Sequence, residues 1–275
     1  MKRYTLYIIY TLLVLTASAA ELEDTLQHHV STEARAVERM YLFGIGTSNQ
    51  LDTYLTPLEY SGIQGSFLTR INRQTRWADG HVHYQGTFLG AFSHTRDARK
   101  HGEEWGGHVG YTAGWHYVWE MPHRWTLKAG GLLGADAGFL YNMRNSNNPA
   151  QGRFRIDVIA SLGAGYTWII RQRKIRFNYQ ADIPLLGVMF SPQFGQSYYE
   201  LSLGNRDHNV CCAWPGNGFN LRQTLLVEYP FRYFSLQAGY LWDVRQSHVN
   251  NIKMHDISHS FLIGFCKRFS VVKNH

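Results

Sequence analysis

Residues Phe154 to Ile170 alternate in a way that leaves few folds open. Read with the two-residue period of a β-strand, Phe154, Ile156, Val158, Ala160, Leu162, Ala164, Tyr166, Trp168 and Ile170 share one face. The other face holds Arg155, Asp157, Ile159, Ser161, Gly163, Gly165, Thr167 and Ile169. A stripe that is apolar throughout and ends in aromatics, backed by glycine and charge, suits a strand with lipid on one side and a tight polar lumen on the other.

The same period marks nine more strands, near Val37 to Gly46, Tyr60 to Asn72, His81 to His94, Gly107 to Trp119, Trp125 to Tyr141, Ile175 to Leu185, Phe219 to Tyr229, Tyr233 to Arg245 and His259 to Phe269. Met121 to Arg124, Gln172 to Lys174 and Pro230 to Arg232 are tight connections and are assigned to the periplasm. The segments Thr47 to Glu59, Thr95 to Glu104, Met143 to Gly152, Leu186 to Gly218 and Gln246 to Ser258 are then external loops. The expected fold is all-β: a closed, antiparallel transmembrane β-barrel of ten strands with a filled lumen, or twelve strands if Leu186 to Gly218 contains a further hairpin. Within that long loop Tyr198 to Leu203 alternates and reads as strand. Phe261, Ile263 and Phe265, with Phe269 behind them, form the aromatic last strand that outer-membrane assembly machinery recognises, although Ser270 to His275 follow it.

Lys2 and Arg3 precede an apolar run from Tyr4 to Leu15 and a small-residue stretch ending at Ala20, the pattern of a cleaved secretory signal peptide over residues 1–20. Residues 21–35 are polar and charged and read as a periplasmic tail, with the barrel over 36–275. Aromatics make up 15% of the chain and Pro only 7 residues, while the mean hydropathy of −0.30 looks soluble, because every second barrel residue is polar. The formal charge of +7 falls by two when Lys2 and Arg3 leave. Mixed-sign runs such as Arg96 to Glu104 give no continuous basic face for nucleic acid. Cys211, Cys212 and Cys266 do not form a disulfide framework: two are adjacent and the third falls at the opposite end of the barrel.

Inward strand positions include Arg70, Lys128, Arg155, Arg176, Arg222 and Arg245 against Glu120, Asp136, Asp157, Asp182, Glu228 and Asp243. In a ten-stranded lumen these balance as a salt-bridged plug, since a water-filled porin needs nearer sixteen strands. His83 is expected opposite His116 with Glu120 one inward step away, a set that reads as a hydrogen-bonded lumen cluster before it reads as a zinc site. Asp207 and His208 resemble the rim residues of ten-stranded omptin proteases, but the paired aspartates of that site are not evident. His259 and Ser260 are neighbours on one strand and face opposite ways, so they cannot act on one another, and Ser258 offers no clearer nucleophile. No catalytic, cofactor-binding or metal-ligating residue is assigned, and no cofactor.

Leu51 to Gly62, reading LDTYLTPLEYSG, and His208 to Gly218, reading HNVCCAWPGNG, resemble an uncharacterised family of outer-membrane barrels common in Bacteroides-type bacteria and known as a domain of unknown function. The resemblance implies location and fold over nearly all of the mature chain and carries no catalytic residues. The expected location is the cell outer membrane, with membrane lipids, lipopolysaccharide and the barrel assembly machinery as partners, and an extracellular ligand still to be identified. The leading function is a non-enzymatic surface or envelope protein that binds or supports. The alternatives are a small integral hydrolase of lipid, lipopolysaccharide or peptide, and a narrow channel.

Overall fold

A computed structural model describes residues 35–146 and 148–271; the expected signal peptide and residues 21–34 of the tail lie outside the described residues. Ten long strands form the wall: β1 (Arg35–Asp52), β2 (Thr56–Gln74), β3 (Val82–Asp97), β4 (Glu103–Met121), β5 (Trp125–Asn142), β6 (Ala150–Ile170), β7 (Arg173–Phe190), β9 (Leu221–Pro230), β10 (Ser235–Val249) and β11 (Ile252–Val271). A short β8 (Val210–Ala213) pairs with the outer end of β7 alone, so it adds no staves and the count is ten rather than twelve. Each strand pairs antiparallel with its neighbour. The ring closes where β1 runs against β11 from Arg35 opposite Val271 to Asp52 opposite Met254.

Following hydrogen-bonded partners once around the ring starts at His116 on β4, passes through Ser161, Asp182, Asp243 and Ser48, and returns to β4 at Glu104. The stagger is 12 residues, from position 116 to position 104. With about 3.3 Å per residue and about 4.8 Å between strands, that stagger over ten strands tilts them by about 40° and sets a backbone radius of about 10 Å. A bore of this size is filled by its own side chains.

The two-faced reading of β6 holds. Leu162 is 55% exposed on the lipid side while its neighbour Ser161 is fully buried. Aromatic rings gather at two levels of the outer wall, with Trp125 against Tyr166 and Tyr117 against Trp119 near the short-turn end, and Phe92 against Trp105 near the other. β7 needs one correction to strict alternation. Pairing slips at Val158, so Leu185 and Leu186 both face lipid and Pro184 sits at the bulge, where a missing N–H is tolerated.

Two expected loops are mostly strand. β1 and β2 continue to a three-residue turn at Thr53 to Leu55, and β10 and β11 to the pair Asn250 and Asn251, whose φ values of 52° and 61° suit asparagine in a two-residue hairpin. Most wall strands run 15 to 21 residues, against the roughly 9 to 11 that cross a bilayer. The wall therefore projects well beyond the membrane at the end opposite the short turns. The stretch expected as strand at Tyr198 to Leu203 is instead a helical turn, α1 (Tyr198–Ser202). Ser197 and Glu200 cap it reciprocally, an S-x-x-E signal already present in the sequence.

The lumen is less polar than expected. Met40, Leu42, Leu68, Leu89, Leu226, Leu241, Leu262 and Cys266 point inward and form an apolar core on the β9–β11 and β1–β3 side. Three parts of the expected salt-bridge plug also differ. Glu120 is exposed at the short-turn end, Arg70 donates to Thr87, and Lys128 donates to Gln85 and Gln180 rather than to a carboxylate. Gly163 makes room for the last of these, since a β-carbon there would collide with the Lys128 stem.

Two outcomes test this architecture. Leu162→Arg is expected to cost about 2 to 4 kcal/mol in equilibrium unfolding, while inward Thr167→Asn near the rim stays within about 0.5 kcal/mol; equal costs would refute the face assignment. Ser161, bonded to His116, Gln180 and Asp182, is not a tolerant position. On whole cells an impermeant maleimide should label exposed Cys212 first. Cys211 follows more slowly because burial raises its thiol pKa, and Cys266, 1% exposed, reacts only after unfolding. Prior labelling of Cys266 would invert the barrel.

Candidate functional site

The long segment between β7 and β9, expected as an external loop, folds across the barrel mouth instead of projecting from it. Three ties hold it. Tyr54, on the β1–β2 turn, donates its hydroxyl to the Gln196 carbonyl at 2.7 Å; Tyr198 on α1 donates to Gln151 Oε1 at 2.9 Å and accepts from Gly152 N at 2.6 Å. Asn250 on the β10–β11 turn donates to the carbonyls of Ser191 at 3.0 Å and His208 at 2.9 Å. Beneath the segment Tyr54, Leu55, Leu140 and Ile252 pack as a second apolar cluster, and the Tyr54 and Tyr198 rings meet edge to face at 6.1 Å. The two sequence stretches that carry the family resemblance thus converge: Asn209 donates to Gln196 Oε1 at 2.7 Å, the residue whose carbonyl takes the Tyr54 hydroxyl.

Under this cover lies a cavity of about 100 Å³, in the half of the lumen away from the short turns. Its walls present Asp52, Asp136, Asp157, Asp182, Asp243 and Asp256, together with Arg153, Arg155, Arg222 and Arg245. Arg153 pairs with Asp52 at 2.9 Å, Arg155 with Asp157 at 2.5 Å and Arg245 with Asp256 at 2.6 Å. Arg222 reaches Asp243 at 3.3 Å and Asp136 at 3.7 Å. Every wall arginine is therefore matched, and the aspartates are in excess. Asp52, Arg153 and Asp256 were not among the expected inward charges because their positions lay in the presumed loops or at a strand end.

The expected histidine and hydroxyl candidates fall as follows. His83 does stand opposite His116 in the register, but the His116 ring nitrogen Nε2 lies 2.8 Å from Ser161 Oγ and Glu120 is exposed. Ser161 donates to Asp182 at 2.5 Å and also accepts from Gln180 at 3.1 Å. This serine is fully buried in the lumen with its oxygen engaged by His116, Gln180 and Asp182 at once, so it has no route to a substrate bond. His259 stacks on Trp242 and bonds Tyr240 on the lipid face, while Ser258 and Ser260 are buried in the lumen. Asp207 and His208 are exposed on the cover and contribute carbonyls to Gln193 and Asn250. Among the described residues, one trio of potential metal ligands draws together, Glu38, Glu228 and Cys266 at the short-turn end. There the Arg268 guanidinium spans both carboxylates.

Burial, with the nearby Tyr198, Asp52 and Glu200 adding to it, pushes Tyr54 up to about 12 from an ordinary 10.0. A raised pKa means that the folded protein keeps a proton the unfolded chain gives up above pH 10, so stability falls as pH rises from about 10 to 12. Limited proteolysis of the cover should accelerate in that window. Tyr54→Phe, which loses the Gln196 tie, should be cut faster than wild type at pH 8 and show a flatter rise above pH 10. An unchanged pH dependence in the variant would show that this tyrosine does not titrate the cover.

A family model described as protein of unknown function (DUF3316) matches residues 5–275. A search of curated proteins found no match. Similar solved structures include the transport unit of the autotransporter AIDA-I from Escherichia coli, at 12% identity over 84% of this chain and 89% of that one, with a TM-score of 0.45. The outer membrane protease OmpT from Escherichia coli matches at 8% identity over 87% and 98%, with a TM-score of 0.44. Ail, the attachment invasion locus protein of Yersinia pestis, matches at 11% identity over 84% and 98%, with a TM-score of 0.33. These likenesses concern the outer-membrane barrel fold and nothing further. The closed ten-stranded barrel with its covered mouth belongs to the family described as protein of unknown function (DUF3316).

Proposed function

We propose that the protein is a non-enzymatic outer-membrane barrel that binds at its external end, its lumen acting as a sealed support and not as a conduit. The observation that carries this reading is the cover. It is tied to three separate parts of the rim and lies above a lumen already crossed by ion pairs and leucines. A channel needs a continuous aqueous path, and the packed short-turn half offers side chains in its place. A hydrolase needs an activated nucleophile open to substrate. The His116 and Ser161 pair is oriented the wrong way for that and is buried.

The same proposal includes a signal peptide over residues 1–20 cleaved on export, a periplasmic tail over 21–35 and residence in the cell outer membrane. It also includes contact with lipids and lipopolysaccharide, and insertion by the assembly machinery through the aromatic face of β11. An origin in Bacteroides-type bacteria is part of it as well.

Purified wild-type protein in planar bilayers should give no stable conductance. Asp136→Ala with Asp157→Ala should lower stability without opening a pore. It leaves Arg155 without its partner and Arg222 with Asp243 alone, and breaking a buried pair costs about 3 to 5 kcal/mol. Long-lived single-channel steps from pure wild-type protein would reject the sealed barrel and put transport in its place.

A further inference from the structure

Positive charge in this barrel is gathered at one end. Among the described side chains, the strand ends and connections at the short-turn end carry eleven Lys and Arg against four carboxylates, Glu38, Asp79, Glu120 and Glu228. The remaining described side chains carry twelve of each sign. The whole excess of seven therefore sits at the short turns, and the four carboxylates in the sequence of residues 21–34 are too few to cancel it.

The closing seam shows what this excess leaves unmet. Arg39 on β1 stands directly opposite Lys267 on β11. Their chain neighbours Met40 and Cys266 point into the lumen, so Arg39 and Lys267 face outward, and both are exposed. Exposed Arg73 on β2 shares that face, diagonal to Arg39, whose direct partner on β2 is Ile71. Like charges set opposite one another on a sheet face repel. Among the described residues, none of the three has a carboxylate within ion-pair distance, and Glu38 next in the chain is taken by Arg268.

One step toward the bilayer centre, the same face carries the Tyr41 and Phe265 rings, opposite in register with centroids 5.4 Å apart. Phe43 and Ile263 follow, 59% and 60% exposed. A basic pair bounded by aromatic rings and an apolar stripe complements a molecule that is anionic at one end and hydrocarbon at the other.

We propose that Arg39 and Lys267, with Arg73 beside them, seat the phosphate of an anionic phospholipid at the seam, its acyl chains lying along Tyr41, Phe265, Phe43 and Ile263. The phosphate puts negative charge between two side chains that otherwise repel. The lipid thereby strengthens the pairing of β1 with β11 from outside, whatever binds at the opposite end of the barrel.

The test is native mass spectrometry of the folded full chain in a nonionic detergent, with phosphatidylglycerol and phosphatidylcholine of equal chain length added in turn, and urea unfolding in the same mixtures. Wild type is expected to retain phosphatidylglycerol where it loses phosphatidylcholine, and to unfold at higher urea with the anionic lipid. Arg39→Gln with Lys267→Gln should lower phosphatidylglycerol binding about fivefold for each side chain removed and abolish the shift in urea midpoint. Lys267→Gln alone should unfold at the same or higher urea than wild type in phosphatidylcholine, because it removes the repulsion; a lower midpoint there would overturn the proposal. Arg99→Gln with Lys100→Gln, exposed at the other end of the barrel, should leave lipid binding unchanged. Heat-modifiable gel mobility reports whether each variant is folded, and the comparison of the two lipids on wild type needs no variant. Equal retention of both lipids by wild type, or loss of the preference in the Arg99 and Lys100 variant, would also overturn the proposal. So would protection by inorganic phosphate alone, or by lipid A in preference to phosphatidylglycerol, each of which would give the seat to a different phosphate.

Discussion

In hydrocarbon a backbone N–H or C=O without a partner costs several kcal/mol, so the structure depends on the pairing of β1 with β11 that leaves no edge. Everything else follows from how that seam closes. A stagger of 12 over ten strands sets the tilt and the radius, and the radius sets how much side chain the bore must take in. This chain fills it in two ways. Leucines occupy the β1–β3 and β9–β11 side, and hydrogen-bonded charges and amides occupy the β4–β7 side. The outer end, where wall strands project beyond the bilayer, is then capped by the long connection before β9.

Division of the lumen into an oily side and a charged side changes what each can do. Leucine packing tolerates no ligand, since any void there forfeits contact on every side. Charged side chains are different: they meet one another at fixed angles and leave some lone pairs and protons unmatched. On the charged side His108, Asp136 and Asp157 each keep one buried atom without a hydrogen-bond partner. The short-turn half is closed by Arg268 across Glu38 and Glu228.

Much of this was legible in the sequence because lipid imposes strict alternation. The segment Phe154 to Ile170 declares its two faces, the ten strands fall where the period puts them, and even the pairing of His83 with His116 follows from connection lengths. Reading failed where that constraint lapses. Met40 to Phe43 is apolar on both faces, so nothing in it shows that Leu42 turns inward. Above the membrane the strands have no hydrocarbon face, and alternation no longer separated strand from loop at Thr47 to Asp52 or Ile252 to Ser258. The bulge before Leu186 hides because two consecutive leucines look like one apolar run. The cavity could not be read at all, since it joins residues from eight strands whose shared level depends on the stagger.

Arg268 has a consequence for the order of assembly. It lies on the last strand, yet it neutralises Glu38 on the first and Glu228 two strands back. Without β11, Glu38 lacks that guanidinium and Glu228 keeps Arg176 alone at 3.4 Å. The final strand brings both the missing backbone partners and the missing positive charge in one step. The seam of the barrel is thereby fastened twice, by the backbone ladder of β11 and by one guanidinium that reaches strands on both sides of it.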